Sequence, residues 1–175
     1  MEPTMESRRV YEGKVVNLRV DRVTLPSEGT ALREVVEHPG AVAIVAVDGS
    51  GHVLMVRQFR KAVEQELLEI PAGTLEPNES PQACAARELR EETGYRTDRL
   101  KLLARFYSSP GFCDEELYIF LATDLEMGAP QPEDDEELIL IPVPLKEAMS
   151  MVRDGRLRDS KSIIGLLLAE ANLNG

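Results

Sequence analysis

Residues 73–95, GTLEPNESPQACAARELREETGY, set several carboxylates at helical spacing, where a helix by itself gains nothing from them. Ser80 followed by Pro81 reads as a helix start, because the serine hydroxyl can cap free N–H groups and proline at the first helical position loses no hydrogen bond. Gly94 reads as the matching stop. Glu88 and Glu92 are four residues apart and Glu91 is three from Glu88, so the three carboxylates share one side of the helix. Ala85, Ala86 and Leu89 point elsewhere and are expected to pack on a core.

Like charges at these spacings repel by a few tenths of a kcal/mol per pair, and acids in the last turn oppose the helix dipole by roughly 0.3–1 kcal/mol each. Arg87 and Arg90 could offset part of this, as on any solvated, salt-bridged helix face. The spacing is more specific than such a face requires: Gly73, five residues, Glu79, seven residues, Arg87-Glu88-Leu89, one residue, Glu91-Glu92, one residue, Gly94. It resembles the Nudix box, the signature of hydrolases acting on nucleoside diphosphates linked to another moiety. Tyr95 stands where an aliphatic residue is more common.

The resemblance implies a hard divalent cation, Mg²⁺ with Mn²⁺ as the alternate, held by the Ala72 carbonyl and by Glu88, Glu91 and Glu92. Mg²⁺ prefers oxygen ligands, keeps several waters and is usually bound through a few carboxylates plus substrate phosphates. Pyrophosphate hydrolysis needs such a charge because the attacked phosphorus and its leaving group are both wrapped in anionic oxygens. Glu91 is expected either to ligate metal or to orient the attacking water, and Arg87 to brace the glutamates.

Outside the box, VRQFRKAVEQELLEIPAG (56–73) resembles the ADP-ribose pyrophosphatase branch of that family. Arg60 matches its substrate-facing arginine, and Arg57 is a second candidate. Pro110 lies sixteen residues beyond Gly94, the marker of the same branch. The resemblance implies that Pro110, Gly111 and Phe112 shape the adenosine or terminal-ribose pocket, although Pro110-Gly111 alone reads as a turn between strands. In PEDDEE (132–137) the branch keeps a loop glutamate that activates water. Glu136 is the choice by its distance from the next apolar strand, with Glu137 and Glu133 behind it; a surface acidic run is the plain alternative.

The implied reaction is cleavage of ADP-ribose to AMP and ribose 5-phosphate. Another nucleoside diphosphate derivative, such as a nucleotide sugar or dinucleotide, is the rival substrate. A non-catalytic nucleotide sensor would be expected to carry a damaged box or an attached DNA-binding module, and the sequence displays neither. In this branch the N-terminal strands pair with or swap onto a second subunit, so a homodimer is expected, with residues 1–40 serving dimerisation and 41–175 forming the hydrolase domain.

Composition narrows the partners. A net charge of −11 argues against a nucleic-acid binder, which must neutralise phosphates with Lys and Arg. The two cysteines, Cys84 and Cys113, suit a reducing cytoplasm better than a disulfide framework, with Cys84 read as a packed residue. His38 and His52 have no metal-ligand pattern around them. No apolar signal region opens the chain and no stretch approaches a membrane span.

Read in order, Lys14–Leu25 and Ala31–Glu37 alternate around a Pro26–Gly29 turn and predict an N-terminal antiparallel hairpin. Ala41–Val47 is a buried strand, and Asp48–Gly51 turns it into His52–Phe59. Short strands follow at Leu67–Ile70, Leu100–Tyr107, Leu117–Leu125 and Leu138–Val143, then helices at Leu145–Arg153 and about Ser160–Ala171. The order predicts an α+β domain with helices on a mixed sheet, and the resemblance implies the same Nudix fold, a helix–sheet–helix sandwich.

Overall fold

The computed structural model describes residues 1–128 and 138–173. In chain order the elements are β1 (Thr4–Glu12), β2 (Asn17–Thr24), β3 (Thr30–Glu37), β4 (Ala41–Val47), β5 (His52–Arg60), β6 (Gln65–Glu69), β7 (Ala72–Thr74), α1 (Pro81–Thr93), β8 (Tyr95–Arg96), β9 (Arg99–Tyr107), β10 (Glu116–Thr123), β11 (Glu126–Met127), β12 (Ile139–Pro144), α2 (Leu145–Arg153) and α3 (Ser160–Leu173). The chain divides into two compact units, one of residues 1–40 and 106–117, the other of residues 41–105 and 118–175.

The first unit contains the antiparallel sheet β1-β2-β3. Its β2–β3 hairpin runs in unbroken register from Asn17 opposite Glu37 to Thr24 opposite Thr30, as the alternation predicts. Glu28 and Gly29 adopt positive φ at the turn, and the Leu25 amide donates to the Gly29 carbonyl at 3.0 Å. The sequence reading missed β1. All nine of its residues are exposed, so there is no buried face to impose an apolar alternation, and the strand is held by its ladder to β2 and by pairs such as Arg9–Glu37.

The second unit is built on a mixed seven-stranded sheet ordered β12-β5-β4-β10-β9, with β6 added to β5 and β7 to β4. All of β4 is buried, because both of its faces are covered. Val42, Ile44 and Ala46 pack with Cys84, Ala85 and Leu89 of α1. On the other face, a Cβ on Gly165 of α3 would lie 2.9 Å from Val45 Cγ2 and 3.0 Å from Ile70 Cδ1, so the glycine lets that helix sit directly on the strands. Alternation along one strand thus supplies both layers of an α+β helix–sheet–helix sandwich. Among the described residues, no helix is long and apolar enough to cross a membrane.

Candidate active site

Helix α1 begins and ends as its sequence dictates. Ser80 Oγ accepts from the Ala83 amide at 3.2 Å, and Pro81 occupies the first turn. Gly94 takes the left-handed conformation, φ 74°, with its amide on the Arg90 carbonyl. Cys84, Ala85, Leu89 and Thr93 form the buried face, whereas Ala86 is exposed, contrary to the sequence expectation. A helix turns about 100° per residue, so the stripe through Ala85 and Leu89 carries Ala86 away from the sheet.

The opposing side of α1 is organised by Arg87. Its Nε and Nη2 fork onto the Glu79 carboxylate at 2.9 Å each, while Nη1 bridges Glu88 Oε1 at 2.7 Å and Glu91 Oε2 at 2.9 Å. Nη2 also reaches the Thr74 carbonyl at 3.3 Å, tying the helix to β7 and to the loop between them. All four side chains are largely shielded from solvent. The Arg87 hydrogen bonds hold Glu79 down to about 2, and the guanidinium itself, bonded first to Glu79, is raised above its ordinary value. One planar cation with five N–H donors can satisfy three carboxylates where a lysine could not. Arg90, offered by the sequence as a second counter-ion, is exposed and outside this cluster.

Cys84 lies beneath the cluster. Burial, reinforced by the nearby Glu79, pushes its thiol up to about 12, so it is a packed residue and no nucleophile at neutral pH.

Gly73 is required by close approach. A Cβ at this position would overlap the Glu88 carboxylate, which lies against the β7 backbone. One residue earlier, the Ala72 amide donates to Glu92 Oε2 at 3.2 Å. An extended residue projects its N–H and C=O to the same edge. The Ala72 carbonyl therefore leaves β7 on the side of Glu92, away from the ladder to β4. Ala72, Glu88 and Glu92 thus supply hard oxygen donors along one strand–helix seam, and Glu91 is joined to Glu88 through Arg87 Nη1. Among the described residues no group of three or more His, Cys, Asp or Glu forms a ready-made metal cage. The seam fits Mg²⁺ all the same, since that ion is bound through one or two carboxylates with water and phosphate oxygens completing its shell.

Arg60 faces a second ionic network, which the sequence reading did not find. Its Nε and Nη2 fork onto Glu69 at 2.9 and 2.7 Å, and Lys161 of α3 donates to the same carboxylate. Lys161 also meets Asp159 at 2.9 Å, whose other oxygen caps α3 by accepting from the Ser162 amide at 2.9 Å. Ser162 Oγ accepts from the Ile70 amide at 2.8 Å. Burial opposes ionisation of Glu69, but the two cations prevail and hold its carboxyl below the ordinary value. Arg60 is raised, first by its bond to Glu69, and it also feels the charge of Glu92, which relates this network to the glutamate seam. The available signal was Glu69 itself, an acid inside the apolar run LLEIP. Arg57 is exposed and, three residues from Arg60 on one regular strand, emerges on the opposite face.

Pro110, Gly111 and Phe112 belong to the first unit. The Phe112 carbonyl accepts from the Val36 amide at 2.7 Å and the Asp114 amide donates to the Val36 carbonyl at 3.1 Å, pinning this loop to β3. Together with Leu32, Val35 and Tyr107 these residues line an open cavity of about 750 Å³. Phe112 and Tyr107 are more than half exposed there, as aromatic surfaces available to a planar group. Glu136, like Glu133 and Glu137, lies outside the described residues.

Residues 36–164 match the NUDIX domain family. The chain is 42% identical over 163 residues to the ADP-ribose pyrophosphatase of Bacillus subtilis, covering 92% of this chain and 88% of that one. It is 41% identical over 167 residues to the methanol dehydrogenase activator of Bacillus methanolicus, covering 94% and 90%. The fold is similar to that of a crystal structure described as ADP compounds hydrolase, with a TM-score of 0.87 at 22% identity, covering 99% and 95%. Together with the glutamate seam, these matches establish that the chain belongs to the Nudix hydrolase family, whose members generally work with a divalent metal ion.

Proposed function

We propose that this protein hydrolyses the diphosphate of ADP-ribose to AMP and ribose 5-phosphate in the presence of Mg²⁺. The observation that carries the reading is the seam where Glu88 and Glu92 meet the Ala72–Gly73 backbone, with Glu91 joined to Glu88 through Arg87. Its substrate assignment is supported by the similarity to an ADP-ribose pyrophosphatase over most of the chain.

The Ala72 carbonyl with Glu88, Glu91 and Glu92 would hold the metal, which when bound supplies positive charge to the diphosphate oxygens and lowers the pKa of coordinated water. Arg87 keeps Glu88 and Glu91 aimed, so the site is organised before substrate arrives. Arg60 offers its remaining donors to a phosphate oxygen as charge-assisted hydrogen bonds, a contact that Arg57, on the opposite face of β5, does not share. Glu91 orients the water and Glu136 takes its proton as oxygen attacks phosphorus. The new P–O bond forms as the bridging P–O bond breaks, and the departing phosphate leaves on the other product. Pro110, Gly111 and Phe112 would receive the adenosine or the terminal ribose.

A homodimer is supported by exposed apolar residues of the first unit, among them Val10, Tyr11, Val16 and Leu32, with residues 1–40 as the dimerising segment and 41–175 as the hydrolase domain. Sedimentation equilibrium tests this. The two unpaired cysteines accord with a cytoplasmic location.

The decisive experiment incubates the protein and Mg²⁺ with ADP-ribose, nucleotide sugars, dinucleoside polyphosphates and nucleoside triphosphates, with products separated by chromatography. Fastest cleavage of ADP-ribose to AMP and ribose 5-phosphate is expected. Preference for another diphosphate would overturn the substrate, and no turnover of any would overturn the enzyme reading.

A further inference from the structure

Arg60 is half tethered. Two of its nitrogens are committed to Glu69, yet Nη1 has no hydrogen-bond partner among the described residues, and its side chain remains 41% exposed. Glu69 is the reverse. It is 1% exposed and gives one oxygen to Arg60 Nε and the other to both Arg60 Nη2 and Lys161. A free arginine loses considerable side-chain entropy when it binds a ligand. A fork onto a buried carboxylate freezes most of those torsions beforehand and leaves one edge of the guanidinium presented outward.

Lys161 does not compete for that outward edge, because its ammonium is turned inward to Glu69 and Asp159. It instead balances a carboxylate that would otherwise be held by one cation. Asp159 and Ser162 fix Lys161 at the start of α3, and the Ile70 amide on Ser162 locks that helix end to the segment just after Glu69. The segment that carries Glu69 runs within three residues into Ala72, whose amide donates to Glu92 Oε2 at 3.2 Å, so the anchor of Arg60 adjoins the glutamate seam.

We infer that Glu69 is a positioning residue for substrate, which acts through Arg60 by holding its unused Nη1 edge toward a diphosphate oxygen, with Lys161 anchoring Glu69 through the oxygen it shares with Arg60 Nη2. The inference rests on the reading of the glutamate seam as a diphosphate-hydrolysing centre. Glu69 touches no substrate in this scheme, and its removal should matter only while Arg60 is present.

The test is a double-mutant cycle on ADP-ribose hydrolysis at saturating Mg²⁺. Arg60→Ala and Glu69→Gln are each expected to lower kcat/KM roughly 10- to 100-fold, as loss of a charge-assisted contact would. The loss should fall mainly on KM. In the Arg60→Ala background Glu69→Gln should cost no more than about 2-fold further, since the two act as one unit. Because Glu69→Gln leaves Lys161 with Asp159 as its one remaining ion-pair partner among the described residues, the cycle is repeated with Glu69→Gln/Lys161→Met, which removes both charges and carries the same expectation. Multiplicative losses in either cycle, or a loss confined to kcat, would overturn the role of Glu69 while leaving the hydrolase reading intact. A wild-type protein that neither cleaves ADP-ribose nor binds ADP in calorimetry would overturn the reading of the site and this inference with it.

Discussion

The Arg87 cluster and the Glu69 network are charge inverses of each other. In the first, one guanidinium serves three carboxylates, and in the second, one carboxylate serves two cations. Both hubs are shielded, and both leave charge at their edges. The first presents an anionic rim, suited to a hard cation, and the second presents the free edge of Arg60, suited to phosphate. A buried ion pair is weak testimony for stability because desolvation offsets much of its attraction. Here the two hubs make better sense as orienting devices whose outward groups do the binding.

The sharpest way to break this contrast is at the anionic rim. Glu92→Gln should lower turnover by about 10³-fold or more, comparable with loss of a principal electrostatic group, while the circular dichroism and melting behaviour stay close to wild type. Wild-type rates at saturating Mg²⁺ would contradict the metal assignment.

Removing the hub should instead be felt in stability. Arg87→Ala leaves Glu79, Glu88 and Glu91 without their shared cation, and urea unfolding is expected to report a loss of about 3 kcal/mol, as for other broken shielded pairs. Arg90→Ala, on the exposed side of the same helix, should stay within about 0.5 kcal/mol. Equal effects of the two would dissolve the distinction between hub and surface arginine.

Gly73→Ala probes the close approach itself. The added methyl meets the far end of a flexible side chain, so Glu88 can swing away and stability should change by less than about 1 kcal/mol. Activity should nonetheless fall on the order of 10- to 100-fold, because a misplaced ligand is enough to do so. A large stability loss with normal turnover per folded molecule would reverse that reading.

The smallest effect concerns acid. Glu79 has a carboxyl held at about 2 rather than its ordinary 4.5, so its contribution is present above pH 4.5 and is lost as pH falls through about 2. Glu79→Gln should therefore flatten that part of the acid limb in denaturation curves collected across this window. An unchanged limb would mean that Arg87 does not hold Glu79 as strongly as the fork suggests.

Much of the site could be read before folding was considered. Ser80, Pro81 and Gly94 act within one or two turns, and Glu88, Glu91 and Glu92 are related by helical pitch alone. The error at Ala86 came from assigning a face without knowing its width, which depends on where α1 rests against β4. Strand β1 escaped notice because pairing, and not burial, holds it. The cavity beside Phe112 required β3 and a loop more than seventy residues later to be brought together, as by the His38 amide on Asp114, 76 positions away.

The family and its chemistry thus followed from residues 73–95, since helical spacing converts sequence distance directly into a common face. The partners of Arg60 did not, because Glu69 and Lys161 are separated by 92 positions and become neighbours only when α3 packs beside the end of β6. Burial then gives Glu69 its consequence. An acid that would be unremarkable on the surface becomes, when shielded between two cations, a rigid support for the Arg60 guanidinium.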